Sequence, residues 1–557
     1  MNSKHSFTKV LNSLFFIAFV YTCPIFSEQL YDDFLCEEKD ILTSVGLSSP
    51  CVCTRCGSVP YPSNTGYTTP DFITDSPEVW SFVSEPNIHP IKINVTTNNP
   101  GVSSGLVFLA PYGFSAEAMY GQPGALIVNN DGDPIWFRPL NSPNLMNTDF
   151  RVQTLNGKRV LTFWQGTLAT PPAYTNTPAG SSEPGSCYYI LDETYSVIQT
   201  VSARGNLTSD IHEFLITPNN TAFFFSTTAV PMDLTPYGGP ENGYVQNFII
   251  QEVNLHTNKL LFLWSALDHI PLEDSYEPAS DATLSSNVWD AYHLNSISLT
   301  DNIDDILVSG RNTSTIYKIN KPTGNIIWRL NGKQSDFTIE EGAEFSWQHD
   351  ARFLPNNLIS LFDDNSDGSS DYGPSSHGLI LQLDLVNMTA SEYRSYYHDP
   401  DVTVASQGNL QSLPNGNKFV GWGQSQYYSE YSQEGNTEEY PATNLLYAAE
   451  IPSPDYTYRA YRHDWIGKPF YPPSIGITSI AGQITVYASW NGSTETTQWQ
   501  VLAGPKPKKL SLVASAAKSG FETAIPVNNT GPYFQVRALN ANGHVIGKSK
   551  IVKLKNL

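Results

Sequence analysis

The chain has 557 residues, with 31 Lys plus Arg against 53 Asp plus Glu and a net charge of −22. That balance argues against a nucleic-acid partner and against electrostatic attachment to an anionic membrane. With 15% charged and 12% aromatic residues, the composition is too apolar for disorder. Its Tyr, Thr, Asn, Gly and Pro content points to a β-rich, loop-rich chain of several domains.

The N-terminus reads as an address. Lys4 and Lys9 precede the apolar run Leu14 to Val20, the pattern of a signal peptide over residues 1–27. The run is shorter than the ~20 residues that span a bilayer, and no later segment is long and apolar enough. The expectation is a secreted or lumenal protein with no membrane insertion after cleavage. Sequons at Asn94, Asn206, Asn219, Asn312, Asn387, Asn491 and Asn528 fit a secretory glycoprotein. Residues 28–75 form a segment holding Cys36, Cys51, Cys53 and Cys56. An oxidising compartment favours two disulfides there over a zinc knuckle, with three pairings open. Cys187 is then unpaired, or takes one of the four.

From residue 76 a pattern recurs: a β-run, a turn, then a second β-run often ending in Trp. Its turn entries are Asn130, Asp192, Asn254, Asn320, Asp384 and Pro452, spaced by 62 to 68 residues. The sixth copy is read as a hairpin from Leu446 to Tyr458. Six copies at a near-constant period mean a repeat architecture. Each copy resembles the outer half of a four-stranded blade, so residues 76–470 are predicted to close as a six-bladed β-propeller. After Pro469, Pro472 and Pro473, short alternating runs such as Ile484–Asn491 and Tyr533–Leu539 predict a fibronectin-III/Ig-like β-sandwich over residues 477–557. The fold class is therefore all-β throughout.

Inner runs of the repeats stack on a shared turn, and three consecutive copies place histidine at one position: His212, His293 and His349. Equivalent inner-strand positions of a propeller converge on its axis, so the three are expected to face one another. Asn295 lies two residues after His293 and should share its strand face. Arg311 is expected to open the strand 311–319, pairing back against the His293 strand. Glu213 and Asp350, one residue past their histidines, should point away. Three imidazoles, an amide and a guanidinium suit a tetrahedral oxyanion such as sulfate or phosphate. Three imidazoles alone would also suit a divalent metal, but Arg311 would repel it, which tilts the reading to an anion. No metal and no cofactor are assigned.

Five segments carry a resemblance: Asp210 to Pro218, Trp289 to Ile297, Ser309 to Ile319, Phe345 to Phe353 and Gln407 to Asn417. Together they resemble the arylsulfate sulfotransferase family, in particular its fungal-type branch, over roughly residues 100 to 475. The resemblance implies a six-bladed propeller and transfer of a sulfo group from a phenolic sulfate ester to a phenolic acceptor, without a nucleotide sulfate donor. It implies that His349 is the nucleophile that becomes transiently sulfated. His212, His293, Arg311 and Asn295 would hold the sulfate oxygens. Two alternatives stand beside it: a non-catalytic extracellular propeller binding an anionic or aromatic ligand, and a metal-dependent propeller enzyme.

Overall fold

A computed structural model describes residues 73–113, 119–140, 142, 145–168, 185–205, 207–281, 288–528 and 531–554. The signal-peptide segment, the four cysteines between 36 and 56, and the sequon at Asn206 lie outside them. Among the described residues the regular structure is β, apart from four single-turn 3₁₀ segments. No helix of these residues is long and apolar enough to cross a membrane.

Six mainly antiparallel sheets follow one another along the chain; Val288–Trp289 adds a short parallel strand to the third and Thr338–Ile339 one to the fifth. The second holds Met146–Leu155, Lys158–Gly166, Cys187–Leu191 and Val197–Val201, in that order. The third runs Thr208–Ile216, Thr221–Met232, Gly243–Asn254, Leu260–Ser265, and the fourth Leu294–Leu299, Asp305–Gly310, Thr315–Asn320, Ile326–Leu330. The fifth runs His349–Leu354, Leu358–Asp363, His377–Asp384, Thr389–Tyr396. The first and sixth are built from both ends of this region. Tyr461–His463 is the edge strand beside Leu106–Leu109, Gly124–Val128 and Pro134–Pro139. Asn94–Asn98 closes the outer edge of Asn409–Ser412, Lys418–Gly421, Tyr427–Tyr431 and Leu445–Glu450.

That arrangement corrects the sixth repeat. On its outer side Leu445–Glu450 pairs with Asn94–Asn98, and Tyr456–Thr457 pairs instead with Pro111–Tyr112. Pro452 and Pro454 cannot donate to a ladder, and a partner about 350 residues away leaves no local mark.

Consecutive sheets pack face to face. Separate buried apolar clusters fill the gaps, with Trp136 and Tyr189 between the first and second, and Phe225, Tyr292 and Tyr317 between the third and fourth. All but Tyr292, which precedes Leu294–Leu299, lie on strands buried on both faces, as sheets covered on both sides require. The first strands also touch in series. Gln153 lends its amide to Phe214 and Ile216, and Asn295 donates to Gln348. Asn409 and Gln411 clasp the backbone of Ala460 and Arg462, and Tyr461 reaches Asp149. The series thus returns to its start.

The tail forms two further sheets: Ser474–Ile480, Gln483–Ser489, Glu522–Val527, and Lys509–Ala517, Gln498–Lys506, Tyr533–Leu539, Val545–Lys548. Both contribute to one core around Trp499, Val501 and Phe534. Asn491 joins them to the first sheet. Its buried side chain accepts from the Phe137 N–H at 2.9 Å and donates to the Phe137 carbonyl at 2.8 Å. Asn491→Ala strands both backbone groups and is expected to cost about 1–3 kcal/mol, read as a lower denaturation midpoint. Asn491 and Asn312 are both buried with their amide nitrogens committed, Asn312 to the Asp290 carbonyl at 2.6 Å. Peptide mapping is expected to find these two sequons bare. Cys187, buried at the start of its strand, is disulfide-bonded, and every other cysteine lies outside the described residues.

Candidate active site

His212 and His349 sit where the first strands break register, and His293 directly precedes such a break. Pairing shifts between Ser209 and Phe214, between Leu294 and Ser296, and between His349 and Arg352. A bulge of this kind bends a strand and re-aims a side chain. His293 takes φ +47° and Asp350 φ +56°, conformations that His and Asp accept more readily than most residues.

Rotation at these bulges brings the three rings together. Nε2 of His212 lies 3.2 Å from Nε2 of His293. Ring centroids are 6.4 Å apart for His212 and His349, and 6.1 Å for His293 and His349. Each ring is anchored by a carboxylate at its other nitrogen. Asp210 meets His212 Nδ1 at 2.6 Å, Asp290 meets His293 Nδ1 at 2.6 Å, and Asp364 meets His349 Nδ1 at 2.8 Å. Asp210 and Asp290 also accept the backbone N–H of their own histidines, each at 3.0 Å. Such pairing fixes the ring orientation and keeps a proton on Nδ1, so the lone pair falls on Nε2.

A cavity of about 130 Å³ opens over the trio, lined also by Phe248, Gln407 and Tyr458. His349 is wholly buried. Burial holds it well below the ordinary imidazole range, helped by His293, Arg311, His212 and Arg459. Burial lowers His293 as well, against the pull of Asp290. Asp364 is pushed above the carboxylate range by burial, with Arg311 drawing it back. His349 is therefore neutral. The Gln407 N–H approaches its ring, 3.2 Å from Nδ1 and 3.3 Å from Nε2. The Tyr458 ring meets His212 edge-on at 5.7 Å. One nitrogen from each histidine lies within 4.8 Å of the others, so the trio could also hold a metal ion.

Two sequence-derived residues are placed elsewhere. Arg311 lies in the turn between Asp305–Gly310 and Thr315–Asn320, and Asp305–Gly310 is the strand that pairs with the His293 strand. Its guanidinium stacks on Trp347 and donates to Asn312 and to the Ala405 carbonyl at 2.7 Å each. It does not line the histidine cavity. Asn295 falls at the bulge and donates to the Gln348 carbonyl at 2.8 Å, off the face of His293.

Glu213 and Asp350 point away from the cavity, as expected, and enter a buried ion network. Glu213 pairs with Arg151, with Arg352 at 2.7 Å and with Arg459 at 3.5 Å. Asp149 pairs with Arg459 at 2.9 Å and Arg151 at 3.1 Å. Asp350 pairs with Arg352 at 2.5 Å. The three arginines hold Glu213 down to about 2 although burial raises it. Beyond this network a wider cavity of about 730 Å³ is lined by Arg151, Gln153, Arg352 and His463.

A family model described as arylsulfotransferase (ASST) matches residues 151–439, just over half of the chain. The chain belongs to the arylsulfotransferase family. The matched arylsulfotransferase segment contains His212, His293, Arg311 and His349, together with Asp210, Asp290 and Asp364. Tyr458, Arg459 and the tail sheets fall beyond it. No curated protein matches the sequence. Among solved structures, a protein of unknown function from Bacteroides caccae is 13% identical with a TM-score of 0.35, covering 64% of this chain and 98% of its own. TolB from Acinetobacter baumannii is 12% identical with a TM-score of 0.33, covering 65% and 67%. Sqt1 from Saccharomyces cerevisiae is 11% identical with a TM-score of 0.27, covering 74% and 81%.

Proposed function

We propose that the chain is a secreted arylsulfotransferase of the fungal-type branch, a six-bladed β-propeller carrying a fibronectin-III-like sandwich. It transfers a sulfo group from a phenolic sulfate ester to a phenolic acceptor through sulfo-His349, without a nucleotide sulfate donor. The observation that carries this reading is His349 itself: buried and neutral, braced by Asp364 at Nδ1 and facing two more histidines across a small cavity.

In the first half-reaction the Nε2 lone pair of His349 attacks sulfur. The S–O(aryl) bond breaks and the phenolate leaves. Positive charge develops on the ring, and Asp364 at Nδ1 stabilises it. His212 and His293, nitrogen to nitrogen at 3.2 Å, flank the space in which the sulfo group would sit. In the second half-reaction an acceptor phenol attacks sulfur, the S–N bond breaks and the phenol proton is released to the site. The cavity holds a sulfo group, and the aryl ring extends through its mouth. Signal cleavage at 1–27, glycosylation and disulfide bonding of the 28–75 segment to Cys187 complete the proposal.

The test is phenol release from a chromogenic aryl sulfate, which rises with added phenolic acceptor if the cycle is ping-pong. Release that ignores the acceptor contradicts it. Asp364→Asn is expected to lower kcat by about 10²–10⁴-fold with little change in KM, because an amide N–H at Nδ1 drives the ring proton onto Nε2. The pH profile follows from the depressed His349. A lowered imidazole pKa keeps the lone pair as pH falls, so the acid limb of kcat/KM is expected below 6.5. A limb at or above 6.5 contradicts the assignment.

A further inference from the structure

The histidine trio has the geometry of a metal ligand set. Imidazole nitrogens bind Zn²⁺ at about 2.0–2.1 Å in a tetrahedron, which places them about 3.3 Å from one another. His212 and His293 already present Nε2 atoms 3.2 Å apart, and the third nitrogen lies within 4.8 Å. A contraction of about 1.5 Å at His349 completes the face. Asp210, Asp290 and Asp364 stand behind the three Nδ1 atoms at 2.6, 2.6 and 2.8 Å. Carboxylates in that position orient metal-bound histidines and raise their basicity.

The Asp210 and Asp290 carboxylates stand beside two of the rings, and the Arg311 fork donates to Asn312 and the Ala405 carbonyl, outside the cavity lining. Arg311 still opposes positive charge at His349 and His293, so the ligand geometry carries the site. A His₃ set with an open fourth position suits Zn²⁺ and, by ligand type, Co²⁺.

We propose that His212, His293 and His349 bind one divalent transition-metal ion, with Zn²⁺ as the fitting case and its fourth position open to the cavity beside Tyr458. Metal occupancy and sulfo transfer exclude each other, because the ion takes the His349 lone pair that the attack on sulfur needs. The exclusion rests on the sulfo-transfer reading; the metal site does not.

Tag-free full chain, stripped with a chelator, is titrated with Zn²⁺ by calorimetry and with Co²⁺ by visible absorption. The expected result is one site per chain with the strong visible bands of four-coordinate, nitrogen-bound Co²⁺. His212→Gln is expected to lose the site, and Asp210→Asn to weaken it about 10–100-fold. Zn²⁺ is expected to suppress phenol release from an aryl sulfate and a chelator to restore it. Wild-type protein without such a Co²⁺ spectrum overturns the metal site whatever the variants do, as does undiminished affinity in both variants. Full activity at saturating Zn²⁺ overturns the exclusion. A metal site in a protein that releases no phenol at any metal level leaves this proposal standing and overturns the sulfo-transfer reading.

Discussion

His349→Ala is expected to abolish sulfo transfer, lowering kcat by about 10⁴-fold or more, as loss of a nucleophile does elsewhere. The ring is the only part of the site that changes bonding partners, so His212 and His293 cannot take over its place. His349 Nδ1 contacts Asp364, and the Gln407 N–H lies against the ring. Alanine leaves Asp364 without its imidazole, but the Arg311 charge still compensates it, so folding survives. The checks are stopped-flow phenol release and an unchanged far-ultraviolet spectrum. Residual transfer within tenfold of wild type contradicts the assignment.

Glu213→Ala is expected to cost about 3–5 kcal/mol of stability, because it leaves three buried arginines with only Asp149 and Asp350 to balance them. Glu213 is fully buried and contacts Arg151, Arg352 and Arg459, and its carboxyl is held down to about 2. A carboxyl lowered in the folded state contributes stability that is present above its ordinary value of 4.5 and is lost as pH falls toward 2. Urea denaturation of wild type and variant at neutral pH reads the difference. A loss under about 1 kcal/mol would mean that the network behaves as a solvated surface pair.

The three histidines were legible because a repeat places equal residues at equal positions, and His212, His293 and His349 fall on one register. Asp210 and Asp290 were within reach of the same reading, two and three residues before their histidines. Asp364 was not: it follows Leu358–Asp363, the next strand of the sheet, and meets His349 only across the ladder. Gln407 and Tyr458 reach the cavity from segments far along the chain, where sequence distance says nothing about proximity. Strict period-two counting assumes an unbroken strand, and a bulge at Leu294–Ser296 turns Asn295 off the His293 face. Arg311 reaches back to the His293 carbonyl through its own N–H, but from a turn and not from the start of a strand. The all-β character was carried by alternation in each repeat. The pairing of Leu445–Glu450 with Asn94–Asn98 was hidden, because strands about 350 residues apart leave no local mark of their pairing.

The most direct test of the account is the covalent intermediate. Purified mature protein is mixed with an aryl sulfate in the absence of acceptor, quenched within the first turnover and digested, and the peptides are weighed. The account predicts one added sulfo group on the peptide that carries His349, removed when a phenolic acceptor is present before the quench. Phenol release with every histidine peptide unmodified would contradict a sulfo-histidine cycle.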